Sequence, residues 1–161
     1  LIMLISKLSP SNKKDVKGVI ELQKELMEYH SKIDEIYRSD NKAVESFRRW
    51  FKRSIKNEKT MVVVAKTDDG KIVGYFMGIV YKPRPEINAK RAGFITNAYV
   101  KSEHRGTGLG KKMFEELLAW FKKKKAEFIE LNVDSRNVTG MHVWEGMGFK
   151  EYMRRMRLKI K

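Results

Sequence analysis

Cysteine is absent from this 161-residue sequence, and histidine occurs only at positions 30, 104 and 142. Without cysteine, disulfide bonds, thiolate catalysis and cysteine-bound zinc are excluded, and three scattered histidines disfavour a metal site. No apolar run approaches the roughly 18 residues that a transmembrane helix needs. The apolar start, LIMLIS, lacks the basic front and the cleavage site of a signal peptide. We therefore expect a soluble, cytoplasmic protein that uses no metal and no membrane.

The charge is strongly unbalanced, with 35 Lys and Arg against 20 Asp and Glu, a net charge of +15. Such a field attracts polyanions: nucleic acid, a membrane surface or a phosphorylated small molecule. The lysine-rich composition with one glutamine, Gln23, also fits a heat-adapted protein whose charges are ordinary solvated surface. The hydrophobic content of 42% is enough for one core, and the sequence predicts a single domain over residues 1–161.

Hydrophobic periodicity predicts the element order β-α-α-β-β-β-α-β-α-β. Strands are predicted over 1–9, over 61–81 as a hairpin around Asp69-Gly70, over 93–101, over 128–133 and at the end, where Met156, Leu158 and Ile160 alternate. Helices are predicted from a polar cap at 11–15 through Met27, then over 43–55, 113–125 and 138–147. Residues 29–40 form the joint between the first two helices, and 82–93 form a loop that contains two prolines.

The stretch HRGTGLGKK (104–112), called here the anion loop, lies between a strand ending at Val100 and the third helix. The first N–H groups of a helix have no internal partner, and glycines allow an anion to approach them. Gly106 and Gly110 are one residue too close for GxxxxGK, and GxGxG is not the dinucleotide pattern GxGxxG. The loop therefore predicts a phosphate site of another kind. The alternative is a glycine-rich turn without a ligand.

Arg105-x-x-Gly108-x-Gly110 after Val100, with Asn137 and Gly148-Phe149 downstream, resembles the GNAT family of acetyl-CoA-dependent N-acetyltransferases. The predicted element order is also similar to the fold of that family. The resemblance implies an α/β (α+β) fold with a central mixed, mostly antiparallel sheet, splayed near 96–100 and 131–134, and helices on both faces. It implies acetyl-CoA as cosubstrate and a primary amine as acceptor, with direct attack in a ternary complex.

The same resemblance assigns a cofactor contact to individual residues. Ala98, Tyr99 and Val100 would present backbone groups to the pantetheine arm. Asn137 would meet the cofactor from the other side, and Trp144 would support cofactor binding through packing. Lys111 or Lys112 would lie near the ribose phosphate. The pyrophosphate would lie on the anion loop, at Arg105, Gly106, Thr107, Gly108, Leu109, Gly110 and Lys111.

The acid and base of many relatives are missing from this chain. Where those relatives carry a proton-donating tyrosine, this sequence has Trp144, whose N–H does not ionise near neutral pH. His142 lies about 200° around the same helix, so we expect it to be a surface or packed residue and not the missing acid. The strand 93–100 contains no carboxylate, although Asn97 could hold a water or polarise a carbonyl. We favour a mechanism in which a neutral amine needs only positioning and no dedicated base.

The acceptor side offers His30 and Asp34, which stand four residues apart in the joint. If the first helix continues through both, they share a face and could orient an ammonium group or a water. The alternative is an exposed helical charge pair.

The sequence does not identify the acceptor amine. A sensor that binds acyl-CoA without turnover is a second candidate function. A nucleic-acid-binding module using the basic residues at 122–125, 154, 155 and 157 is a third, disfavoured because no aromatic side chains alternate with them. The last predicted strand could pair across a homodimer.

Overall fold

A computed structural model describes residues 3–160 of the chain. Their elements, in chain order, are β1 (Leu4–Lys7), α1 (Lys13–Ile33), α2 (Asn41–Ser54), β2 (Thr60–Lys66), β3 (Ile72–Tyr81), β4 (Ala92–Val100), a 3-10 turn (Ser102–His104), α3 (Leu109–Lys123), β5 (Ile129–Leu131) and α4 (Val138–Gly146). The predicted order is confirmed as far as α4. The first two residues of the strand predicted over 1–9 lie outside the described part.

Polar caps start the first two helices. The side chain of Asn12 accepts the N–H of Asp15 at 3.1 Å, and that of Asp40 accepts the N–H of Ala43 at 2.8 Å. Each side chain satisfies an N–H that the helix itself leaves unpaired. The cap predicted near the start of α1 is therefore confirmed, but α1 continues to Ile33, past its predicted end.

The strands form one sheet in the order β1-β2-β3-β4-β5. The first three pairings are antiparallel, and β4 pairs with β5 in parallel. The β4–β5 pairing runs from Gly93 opposite Ile129 to Ile95 opposite Leu131 and ends there. This confirms the mixed, mostly antiparallel sheet and places its splay after Ile95.

A β-bulge at Thr96 interrupts β4 at the same point. Met77 is opposite Asn97 whereas Gly78 is opposite Ile95, so Thr96 has no residue opposite it on β3. The extra residue reverses the alternation of side chains, so that Asn97 reaches α1 and not α3. Simple alternation along the sequence does not show this reversal.

The core has two layers, one on each face of the sheet. One layer joins α1 and α2 to the sheet and includes the fully buried side chains Phe51 and Tyr75. The other joins α3 to the opposite face and includes the fully buried Met113 and Phe121. Helices on both faces, as predicted, are confirmed.

The strand predicted at the C-terminal end is wrong. Residues 150–160 form no regular element, and Met156, Leu158 and Ile160 are 94%, 86% and 88% exposed. A strand requires a neighbour to satisfy its backbone groups, and this segment pairs with no strand in the described chain. Side chains anchor it instead: Tyr152 donates to Glu130, and Arg157 and Lys159 pair with Asp34 and Glu35.

Two glycines allow α3 to lie close to the sheet. A Cβ at Gly93 would come within 2.6 Å of the Phe121 ring, and one at Gly78 would meet the same ring at 2.6 Å. Because that ring is fully buried, it has little room to move.

Gly93→Ala should therefore lower the free energy of unfolding by about 1 to 3 kcal/mol through overpacking against Phe121. Urea denaturation measures the change. Gly146→Ala is the control, since a Cβ there meets no atom within 4 Å and its stability should stay the same or rise slightly. Equal stabilities of the two variants would contradict the close packing.

Candidate active site

The anion loop has the backbone shape that its glycines suggest. Gly106 and Gly108 have φ angles of 73° and 80°, in the left-handed region that side chains rarely adopt. A Cβ at either position would find no atom within 4 Å, so the surface above both glycines is open. By contrast, a Cβ at Gly110 would face inward, 3.9 Å from Phe76 and 4.0 Å from Met147.

The N-terminus of α3 lies directly behind this open surface. Gly108 is its N-cap residue and supplies no side-chain hydrogen bond, and the first turn contains no acidic residue. The first N–H groups of the helix therefore have no capping side chain, and Lys111 and Lys112 are exposed beside them. A helix N-terminus of this kind attracts a phosphate through its dipole and its N–H groups.

Arg105 is held against β4. Its Nε donates to the carbonyl oxygen of Val100 at 2.8 Å, and its guanidinium lies 5.5 Å from the centre of the Tyr99 ring. The Tyr99 hydroxyl donates to Glu25 at 3.1 Å, and Lys101 pairs with the same carboxylate at 2.8 Å. Burial and the bond to Glu25 raise the pKa of Tyr99, so its phenol stays neutral. These contacts of the Arg105 side chain hold the start of the anion loop against β4.

A polar network lies on the α1 face of β4, just past the bulge. The Asn97 side-chain amide donates to the carbonyl oxygen of Gln23 at 3.1 Å, and the Tyr75 hydroxyl donates to the same oxygen. Gln23 is buried, and burial raises the pKa of Tyr75. This network brings α1 to the part of β4 that has lost its β5 neighbour.

Asn137 connects α1 to α4. Its side-chain oxygen accepts the Tyr29 hydroxyl at 2.8 Å and, as the cap of α4, the N–H of Gly140 at 3.0 Å. These two bonds occupy the side-chain oxygen. A contact of Asn137 with the cofactor stays a prediction.

Trp144 lies in an aromatic cluster, not in an open pocket. Its ring centre is 5.9 Å from that of Phe76, 6.2 Å from Phe114 and 5.4 Å from Phe149. The side chain therefore supports the sheet and the start of α3 through packing. His142, two residues earlier, is exposed.

Asp34 does not share a helical face with His30, because α1 ends at Ile33 and Asp34 has an extended backbone with φ of −149°. Their predicted pairing required the first helix to continue through both residues, and this condition is not met. The Asp34 carboxylate accepts bonds from Arg136 at 2.6 Å and from Arg157 at 2.8 Å. The two guanidinium groups hold the pKa of Asp34 well below its usual range. A catalytic role of Asp34 stays a prediction, and these bonds favour an anchoring role.

His30 lies between two tyrosines at the end of α1. Its ring centre is 5.9 Å from that of Tyr29 and 5.4 Å from that of Tyr37. Burial lowers the pKa of His30, and the nearby charge of Asp134 offsets part of that effect. The imidazole is therefore neutral at pH 7.

Sequence reasoning missed Glu25 and the role of Gln23. Gln23 had a signal, because it is a polar residue at a position where the apolar stripe of α1 is buried. Glu25 had none, because its partner Tyr99 is 74 residues away in the sequence.

Two further findings concern residues 3–160 alone. No group of three or more His, Asp or Glu side chains there could hold a metal ion. No helix in that part of the chain is both long and apolar enough to cross a membrane.

The sheet that opens beside an uncapped helix and a glycine loop is the arrangement that the sequence resemblance implied. The family model described as the acetyltransferase (GNAT) family matches residues 20–149. The chain therefore belongs to the GNAT acetyltransferase family.

Individual relatives agree with this assignment. The chain is 32% identical over 79 residues to N-alpha-acetyltransferase 30 of Saccharomyces cerevisiae, a match that covers 49% of this chain and 45% of that protein. It thus spans less than half the length of that relative. A tetramutant of BH1408 from Bacillus halodurans has a TM-score of 0.85 at 22% identity, over 98% of this chain and 99% of the other. The aminoglycoside N-acetyltransferase AAC(6')-Iy, in complex with a CoA-linked bisubstrate analogue, has a TM-score of 0.76 at 16% identity, over 100% and 99%. At these identities the two structures show a shared fold.

The lowered pKa of His30 predicts a loss of stability in mild acid. In mild acid, His30 takes up a proton more readily in the unfolded chain than in the folded chain. The free energy of unfolding therefore falls as the pH drops below about 6.5, the ordinary pKa of histidine. His30→Gln should reduce the difference in unfolding free energy between about pH 7.5 and about pH 5.5. The exposed His142 provides the control variant, His142→Gln, which should keep the full difference. The same pH dependence in all three proteins would contradict the burial of His30.

Proposed function

We propose that this protein transfers an acetyl group from acetyl-CoA to a primary amine by direct attack in a ternary complex. The observation that carries the proposal is the uncapped N-terminus of α3 behind the open glycines Gly106 and Gly108. The four N–H groups from Gly108 to Lys111, with the positive end of the helix dipole and two lysines, fit a pyrophosphate. The family of the chain and its similarity to a protein solved with a CoA-linked analogue support the same assignment.

The residues that would hold the cofactor follow from this geometry. Backbone N–H groups from Gly108 to Lys111 would bind the pyrophosphate. The backbone of Ala98 to Val100 would bind the pantetheine arm, since β5 leaves that edge of β4 unpaired. When bound, acetyl-CoA supplies a thioester carbon that an amine can attack.

The chain itself would contribute positioning more than proton transfer. Trp144 lies among apolar rings and donates no proton, and Glu25 is already engaged by Tyr99 and Lys101. The amine must therefore arrive neutral, and the rate should rise with the fraction of neutral amine. Holding the amine beside the thioester supplies the rate increase.

The acceptor class is the open part of the proposal. One relative is named as an N-alpha-acetyltransferase and several fold neighbours as aminoglycoside acetyltransferases. A tetrapeptide with a free N-terminus and sisomicin represent these two kinds of acceptor, and spermidine adds a polyamine. The proposal also includes a cytoplasmic location and a homodimer, the latter because apolar side chains of 150–160 are exposed.

A binding sensor without turnover is the second candidate, favoured by the packed position of Trp144 and the absence of a carboxylate on β4. Calorimetry with acetyl-CoA tests the site that both candidates share. A thiol-release assay with the three amines separates them. Binding without thiol release from any amine would favour the sensor, and no binding would contradict both.

Gly108→Val should weaken acetyl-CoA binding more than about tenfold, because the side chain strains a positive φ and covers the N–H groups of α3. Gly70→Val is a matched control, since Gly70 has a φ of 79° in the distant β2–β3 turn. It should lose stability without losing affinity. Gly110→Ala, whose Cβ faces inward, should bind normally. Calorimetry measures all three, and full affinity in a folded Gly108→Val would contradict the proposed phosphate position.

Trp144→Phe should reduce the rate of thiol release less than about tenfold, because the ring is needed for packing and its N–H is not an acid. Trp144→Ala should lower the free energy of unfolding by about 2 kcal/mol through loss of its contacts with three rings. Complete loss of turnover in Trp144→Phe, with acetyl-CoA still bound, would assign a catalytic role to the indole N–H.

A further inference from the structure

We propose that the side-chain carbonyl of Asn97 binds an N–H of the acceptor amine, and that Gln23 is the positioning residue that sets the direction of this carbonyl. The inference rests on the proposed function, because it concerns the acceptor of the same reaction. Gln23 is a polar group in an apolar layer. Gln23 is 6% exposed on a face of α1 that otherwise buries mostly aliphatic side chains: Val16, Val19, Ile20, Leu22 and Leu26. A buried amide is costly unless it is hydrogen-bonded, so its partners are informative.

Tyr75 determines the orientation of the Gln23 amide. Its ring is fully buried, and burial raises its pKa, so the phenol stays protonated and has a proton to donate. That proton goes to the side-chain oxygen of Gln23. An amide nitrogen at the same place could donate to the phenol oxygen, but the buried phenol proton would then lose its acceptor. The Gln23 oxygen is therefore fixed toward Tyr75.

The fixed oxygen of Gln23 then orients Asn97. Only the nitrogen of the Asn97 amide can donate to that oxygen, which it does at 3.1 Å. The Asn97 carbonyl must consequently point away from Gln23. Within residues 3–160 no donor binds this carbonyl, and Asn97 is only partly buried, so water or a ligand can reach it.

The position of Asn97 connects this free acceptor with the reaction. The last β4–β5 pair is Ile95 with Leu131, and Asn97 follows it, on the part of β4 that has no β5 neighbour. The bulge at Thr96 turns its side chain to the face that carries α1, whereas Ala98 packs on the layer that includes α3. The amine would thus be bound on the face opposite α3.

A neutral carbonyl suits an amine that must attack. It accepts one N–H and leaves the nitrogen lone pair free, whereas a carboxylate would stabilise the ammonium form, which has no lone pair. Primary and secondary amines carry the required N–H. This interaction would therefore appear in the KM of the amine and not in the binding of acetyl-CoA.

The test measures thiol-release kinetics with the fastest of the three amines named above, together with calorimetry of acetyl-CoA. Asn97→Ala removes the accepting carbonyl, and Gln23→Met removes the group that orients it. Each should raise the KM of the amine about tenfold, the effect of one lost hydrogen bond, with acetyl-CoA affinity unchanged.

Gln23→Met also leaves the buried Tyr75 hydroxyl without an acceptor, which lowers stability. The double variant Gln23→Met/Tyr75→Phe removes both polar groups and should recover the thermal transition, while its amine KM stays raised. A normal KM in the folded double variant would overturn the positioning role of Gln23. A normal KM in Asn97→Ala would overturn the contact with the amine. Absence of wild-type turnover with every amine would overturn the proposed function, and this inference with it.

Discussion

The parallel pairing of β4 with β5 ends after Ile95, and the remainder of the site depends on that interruption. A fully paired β4 would bury its backbone groups in a ladder and leave no gap. Because β5 is short, residues 97–100 keep a free edge on one side and antiparallel pairing with β3 on the other. The strand is therefore held in place while its outer edge is accessible. The bulge at Thr96 lies directly after the last β4–β5 pair and directs Asn97 and Tyr99 toward α1.

Charge and geometry have different roles here. The net charge of +15 is spread over the whole chain and attracts many kinds of anion. In the proposed function the anion loop adds selectivity, because two left-handed glycines and an uncapped helix would accept a phosphate group at one place. Arg105 is held on β4 by Val100 and Tyr99, whereas Lys111 and Lys112 at the start of α3 are exposed.

Much of the fold was predictable because its signals are local. The cap before α1, the Asp69-Gly70 turn and the apolar stripe of α3 depend on neighbouring residues alone. The C-terminal strand was predicted wrongly, since alternation shows that a segment can pair but not that a partner strand is free. The reversal of faces at Thr96 depends on register with β3, and the Glu25–Tyr99 bond joins distant segments. In the site, the surface above Gly106 and Gly108 is open, as expected for glycines that let an anion approach. The pairing of His30 with Asp34 required α1 to continue through both residues, but α1 ends at Ile33.

The Phe121 ring over Gly78 and Gly93 has a mechanical consequence for the opposite end of α3. A ring seated over two glycines resists sliding of the helix along its axis, because any shift would bring it against neighbouring side chains of the sheet. The position of α3 along the sheet is therefore fixed. Any change in the shape of the anion loop must then come from its residues 104–108, before the helix begins, and not from translation of α3.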